Sequence, residues 1–193
     1  MHINLFAFAA GHHTSAWRAE DSSVHRLGDI TYWEELAQIA ERGCLDAFFL
    51  ADGQSAAIGG VGGGPAWFLE PVTTLTALAR ATEHIGLVTT ISATFWPPFH
   101  AARLLASLDH ISGGRAGINV VTSMGDDEAR NLFSGQVGER AAHLVQGVLN
   151  VLASLADVEA LPHTDDGGHP RRQHLGRLGV DQGIVFAVVL TAL

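Results

Sequence analysis

Short apolar runs alternate with amphipathic stretches along this chain. Residues 3–9, INLFAFA, are apolar and rich in aromatics, as a buried first strand requires. Residues 45–50, LDAFFL, form a nearly continuous apolar run, the signature of a parallel strand covered on both faces. Residues 85–91 and 116–121 read as the third and fourth strands. Between the runs, apolar positions recur at helical spacing: Trp33, Leu36, Ala37 and Ala40, then Leu75, Leu78, Ala79 and Thr82, then Ala101, Leu104, Leu105 and Leu108.

Local chemistry sharpens the boundaries. Thr31-Tyr32-Trp33-Glu34 fits a capping box and predicts a helix beginning there, with Gly43 as a stop able to take positive φ. Pro71 suits the first turn of the second helix. Pro97-Pro98 blocks the third strand before a third helix, and Ser112-Gly113-Gly114-Arg115 is a tight reversal. The glycine-rich segment 59–65 lacks the Gly-Lys-Ser/Thr ending of a phosphate loop and the spacing of a dinucleotide fingerprint, so it reads as a loop insertion. Four strand-then-helix steps imply a parallel sheet with right-handed crossovers, either open and doubly wound or part of a (β/α)8 barrel. No fingerprint follows the first strand, which disfavours a nucleotide-binding open sheet, and a complete barrel needs about 250 residues. Residues 141–155 can form an apolar helix, 163–179 read as loop, and 184–193 read as a strand or an aggregation-prone tail.

Composition removes several function classes. Eleven basic against twenty acidic side chains, a net charge of −9, argue against sequence-independent binding to nucleic acid. Cys44 is the single cysteine, so no intrachain disulfide forms, and a buried structural thiol is the simplest reading. No apolar run approaches the ~20 residues that cross a bilayer, and no signal-like segment opens the sequence; a cytoplasmic protein without a membrane partner is the default expectation.

Candidate chemistry clusters just past the strand ends, where ligands sit in α/β proteins. The first strand runs into Gly11, His12, His13, Thr14, Ser15, Ala16, Trp17 and Arg18. Adjacent histidines rarely chelate one ion and no His-x3-His or Cys partner lies nearby, so hydrogen bonding to a ligand or to the loop is favoured over a metal. Asp52 ends the second strand, as a turn former or a ligand contact.

The motifs GHHTSAWR at 11–18, FFLAD at 48–52, the long stretch 70–123 ending in NVVTS, and DDEARNLF at 126–133 resemble the flavin-dependent monooxygenases of the bacterial luciferase-like superfamily. The similarity is greatest to the branch of the nitrilotriacetate, EDTA and dibenzothiophene-sulfone enzymes. That resemblance implies the N-terminal part of a TIM barrel, about four βα units over residues 1–156, followed by an irregular and possibly non-native tail over 157–193. It implies reduced FMN, supplied by a separate NADH-dependent flavin reductase, and O2 as cosubstrate. Dioxygen then forms a flavin C4a-peroxide that inserts one oxygen atom into a small organic substrate. By the same resemblance Asp52, Thr94, Asn119, Val121 and Thr122 contact the flavin, with Ser92 an alternative to Thr94, while His12, His13 and Trp17 shape the substrate side. No catalytic side chain is assigned, because the oxygen chemistry belongs to the cofactor.

The pattern departs after Phe133. The family's histidine and Arg-Tyr pair are expected near Gly135–Ala141, where this chain has Glu139-Arg140-Ala141 and no histidine. The later strands carrying a serine-containing phosphate site have no equivalent. A truncated or frame-shifted member is the expectation, one whose open half-barrel forms a homo-oligomer or aggregates. Two alternatives stand beside a monooxygenase: a non-catalytic half-barrel acting only by association, and a deazaflavin (F420)-dependent oxidoreductase of the same superfamily, which GHHTSAWR and NVVTS argue against.

Overall fold

A computed structural model describes residues 2–13, 15–54, 69–123 and 128, together with the backbone of 179–181 and 184–186. The glycine loop 59–65, Thr14, the DDEARNLF motif apart from Glu128, the segment 135–141, the helix expected at 141–155 and the loop expected up to 178 lie outside the described residues.

In chain order the elements are β1 (Asn4–Ala7), α1 (Ile30–Arg42), β2 (Ala47–Leu50), α2 (Pro71–Ala81), β3 (Gly86–Ser92), α3 (Pro98–Ser112) and β4 (Ala116–Val121), with 3-10 turns at Ala16–Arg18 and Val24–Arg26. All four strands pair in parallel in the order β1-β2-β3-β4. Each neighbouring pair is joined by one helical crossover, as in the first half of a (β/α)8 barrel. Farther along, β5 (Gly179–Asp181) and β6 (Ile184–Phe186) form an antiparallel hairpin.

Alternation along the strands decides which face meets the helices. Leu5, Phe48, Leu87 and Ala116 share one register row. They pack with Trp33, Ala37, Leu75, Leu78 and Leu108 from the helices. Higher up, Ile91, Ile118 and Val120 pack against Ala101 of α3. Burying a side chain such as Phe48 or Leu75 stabilises by roughly 1.5–3 kcal/mol, so this helix-facing layer carries the fold. The opposite parity, Phe6, Phe49, Val88 and Gly117, faces the inside of the curved sheet. There Phe6 and Phe8 remain 40% exposed.

Four local expectations change. Both apolar runs overreach: β1 ends at Ala7 and β2 begins at Ala47. The first helix is capped by Asp29, not by Thr31; the Asp29 carboxylate accepts both the Thr31 N–H at 3.0 Å and the Thr31 hydroxyl at 2.8 Å. Asp ranks above Thr as a cap, and its position starts the helix two residues earlier than a Thr31 cap would. Gly43 keeps φ at −76°, and the left-handed turn after α1 falls on Cys44 at φ 56°. Because that turn projects from the surface, Cys44 is exposed rather than a buried thiol. By contrast Gly113, at φ 72°, closes α3 as its sequence predicts.

Candidate functional site

At the C-terminal ends of β3 and β4 the inner face changes from hydrocarbon to hydroxyl and amide. Thr90 and Asn119 share a register row, and so do Ser92 and Val121. The Thr90 hydroxyl donates to the Leu50 carbonyl at 3.0 Å and accepts from the Asn119 amide nitrogen at 3.2 Å, tying β2, β3 and β4 together. One turn higher, the Ser92 and Ser123 hydroxyls lie 2.9 Å apart, and Thr94 Oγ1 accepts the Ser123 N–H at 3.1 Å. Thr90, Ser92, Thr94, Asn119 and Ser123 are all buried. One acceptor is left over: Asn119 Oδ1 is buried without a hydrogen-bond partner. Leaving such a group unpaired costs about 1–3 kcal/mol, so its retention at the strand ends is informative.

Of the sequence-predicted contacts, Thr94 and Asn119 join this network directly. Ser92, the alternative, joins it as well. Val121 is the last residue of β4 and is half-buried on the Asn119 side, its carbonyl accepting the Ala93 N–H at 2.8 Å. Thr122 follows at the strand exit, also half-buried. Thr90 and Ser123 were missed by sequence reasoning. The usable signal was parity, since Thr90 and Ser92 stand on the same side as the two residues flanking Ile118, Gly117 and Asn119.

Asp52 sits apart from that network, two residues beyond β2. The Gln54 side-chain amide donates to its Oδ2 at 2.6 Å, and the Gln54 N–H donates to Glu128 Oε1 at 3.0 Å. Burial pushes the Asp52 carboxyl up to about 6; the Gly53 N–H and the Gln54 amide oppose the shift, while the Glu70 and Glu128 charges add to it. Glu70 is held nearby as the cap of α2, its carboxylate accepting the Val72 and Thr73 N–H groups at 3.0 and 2.7 Å. Gln54 carried no distinguishing sequence signal, and Glu128 stood inside the DDEARNLF motif without a role of its own.

The loop after β1 folds back on its own strand. His12 donates through Nε2 to the Phe6 carbonyl at 2.9 Å, which fixes its tautomer, and its ring lies 4.5 Å from that of Phe6 and 5.5 Å from that of Phe8. Phe49 extends the aromatic group, 4.7 Å from Phe6. His13 instead accepts the Ser15 N–H at 3.2 Å, so the two histidines point to different partners. Trp17 is half-buried with its Nε1 donor unpartnered, and the Arg18 guanidinium lies 4.8 Å from its ring centre. Among the described residues, no group of three His, Cys, Asp or Glu side chains is arranged to hold a metal ion, and no helix is long and apolar enough to cross a membrane.

The β3 and β4 ends offer an orphan acceptor among hydroxyls, and the loop after β1 offers an orphan donor and an aromatic group. A flavin's pyrimidine edge carries one N–H between two carbonyl groups, which complements a carboxamide oxygen flanked by hydroxyls. The donor set present therefore fits such a ring.

The family profile described as luciferase-like monooxygenase matches residues 1–159. The chain is 40% identical over 200 residues to nitrilotriacetate monooxygenase component A of Aminobacter aminovorans, covering 96% of this chain and 43% of that protein. Among solved structures it resembles the EDTA monooxygenase of Chelativorans sp. BNC1, with a TM-score of 0.73 at 23% identity over 99% of this chain and 46% of that one. It also resembles a riboflavin lyase solved with modified FMN and riboflavin, with a TM-score of 0.70 at 28% identity over 91% and 44% of the two chains. The chain thus spans less than half the length of these proteins.

Proposed function

Because the chain belongs to the luciferase-like monooxygenase family, we propose that the C-terminal ends of β2, β3 and β4 form one wall of a site for reduced FMN, in an enzyme that inserts one atom of O2 into a small organic substrate. The observation that carries this reading is the buried, unpartnered Asn119 Oδ1 among the hydroxyls of Thr90, Ser92, Thr94 and Ser123. When bound, reduced flavin supplies the two electrons that activate dioxygen, so that one oxygen atom enters the substrate and the other leaves as water.

This chain's residues bind, orient and exclude water. Asn119 would hold the flavin's ring N–H, Thr94 and the Ser92–Ser123 pair would supply hydroxyl donors, and Val121 would pack beside it. Asp52 accepts a further donor from the flavin, while Thr122 closes the strand exit. Phe6, Phe8 and Phe49 keep the substrate side dry, with His12, His13 and the free Trp17 Nε1 facing the substrate. A relative named as a component A supports a two-part system in which a separate NADH-dependent flavin reductase supplies the reduced cofactor. The second reading, a half-barrel acting by association as a homo-oligomer, draws on the exposure of Phe6 and Phe8.

Anaerobic titration of the chain with reduced FMN tests the first reading, with a saturable isotherm by calorimetry or by change in the reduced flavin's absorbance expected. No binding up to about 100 µM, an affinity weaker than roughly 5–6 kcal/mol, overturns it. Reduced deazaflavin serves as the control ligand. Light scattering of the same sample separates association from flavin binding.

A further inference from the structure

The described contacts around Asp52 form a short relay that the flavin reading does not require. Glu128 lies 74 positions from Gln54 in sequence, yet its Oε1 accepts the Gln54 N–H at 3.0 Å. The same oxygen lies 4.0 Å from where a Cβ on Gly53 would stand, so Glu128 packs along the Gly53–Gln54 peptide. Gln54 in turn donates its side-chain amide to Asp52 Oδ2 at 2.6 Å, a short bond of the charge-assisted kind. Backbone and side chain of one residue are therefore held from opposite ends.

We propose that Gln54 and Glu128 are positioning residues for Asp52: Glu128 fixes the Gln54 peptide, and the Gln54 amide fixes the orientation of the Asp52 carboxyl at the end of β2. A loop residue just past a strand has few packing contacts to hold its side chain. A carboxyl that is to accept one ligand hydrogen needs its rotation about χ2 removed before the ligand arrives, or the ligand's binding energy is spent on it. The relay supplies that restraint from a segment that enters after β4, so it couples the loop after β2 to the segment carrying Glu128.

The groups facing Asp52 act in opposite directions, which makes the relay measurable. The Gly53 N–H and the Gln54 amide favour the ionised carboxyl, whereas burial and the charges of Glu70 and Glu128 disfavour it. Loss of the amide and loss of the Glu128 charge must then move Asp52's titration in opposite senses.

The proposal rests on the flavin reading only for what Asp52 faces; its restraint is tested on the full chain without flavin. The carboxyl carbon of Asp52 is followed by NMR across pH and assigned with Asp52→Asn. Gln54→Met is expected to raise the midpoint, by about three- to tenfold in proton affinity, through loss of one hydrogen bond to a charged group. Glu128→Gln keeps an oxygen for the Gln54 N–H and removes a negative neighbour, so its midpoint falls. Glu128→Ala removes the charge and the clamp together, and its midpoint lies above that of Glu128→Gln. An unmoved midpoint in Gln54→Met, or equal midpoints in the two Glu128 variants, overturns the proposal. Circular dichroism checks each fold, and if Gln54→Met loses its fold the Glu128 pair decides alone. With reduced FMN added, Gln54→Met is expected to bind about tenfold more weakly than wild type and no more weakly than Asp52→Asn when combined with it. Absence of flavin binding by the wild-type chain overturns the flavin reading, and the titration then decides the positioning by itself.

Discussion

The two ends of the four-stranded sheet handle buried polarity in opposite ways. At the N-terminal end, charged side chains are used up on backbone. The Arg115 guanidinium donates to the carbonyls of Ser112, Ile85, Ala79 and Thr82 at 2.8 to 3.1 Å and to the Thr82 hydroxyl at 3.0 Å. Glu41 Oε1 accepts the N–H groups of Glu83, His84 and Ile85 at 2.9, 2.6 and 3.0 Å. Asp46 accepts from the Ile3 N–H and from His2. At the C-terminal end, hydroxyls and an amide bond mostly to one another, Asn119 Oδ1 has no partner, and the carboxyl of Asp52 is pushed up to about 6 by burial. Equivalent strand ends of one sheet thus carry closed polarity below and open polarity above. Closed polarity holds helices to strands, while the open polarity is where we propose that a ligand binds.

The sharpest way to break this contrast is at Arg115. It ties the C-terminal ends of α2 and α3 to the start of β3, and burial lowers its pKa, with Glu41's charge opposing that effect. Arg115→Met fills the volume but leaves four buried carbonyls short of a donor. The expected loss is about 3–5 kcal/mol, read as a shift of the urea midpoint. Reduced-FMN affinity of the folded fraction is expected to stay within about twofold, since the change is at the far end of the strands. A loss below about 1 kcal/mol shows that the lower end is not what holds the layers together.

Asp52 gives a smaller effect of the opposite sign. A carboxyl whose folded pKa lies at about 6, above the ordinary 3.8, adds stability that is complete below the ordinary value and is lost as pH rises through the folded one. At about pH 7.5 the ionised group therefore costs the folded chain, by about 1–2 kcal/mol once partial exposure is allowed for. Asp52→Asn is expected to raise the melting temperature at that pH, to make no difference below about pH 3.8, and to weaken flavin binding. Equal stability gains at both pH values mean that the effect has some other origin than the charge.

What the sequence made legible follows the same division. Helix-facing residues are read from periodicity, because burying hydrocarbon against a neighbour is a rule every window of the chain obeys; α1, α2, α3 and β4 emerge where their patterns put them. Caps and turns are less legible. Thr31 and Asp29 are both competent caps two residues apart, and in the fold Asp29 takes the role, with Thr31 donating to it. The left-handed turn fell on Cys44 because the backbone path, and not glycine's freedom, placed it there. At the upper end Asn119 and Thr94 were singled out from motif context, whereas Thr90 and Gln54, and Ser123 and Glu128 inside quoted motifs, matter through partners 29 to 74 positions away. No local pattern encodes such pairings.

The finest test of open against closed polarity is Asn119→Leu. The substitution keeps the branching of the side chain and removes an acceptor that has no partner, which relieves the folded chain. It also removes the amide that donates to Thr90 Oγ1, but Thr90 keeps its own bond to the Leu50 carbonyl, so no buried donor is stranded. The two consequences offset each other, and stability is expected to change by less than about 1 kcal/mol in either direction. Reduced-FMN affinity is expected to fall by at least about tenfold, because the ring's N–H then meets hydrocarbon. A stability loss approaching that of Arg115→Met, with flavin affinity unchanged, places Asn119 with the closed polarity of the lower end: its amide is then a brace between β3 and β4, and the orphan oxygen has no ligand to answer it.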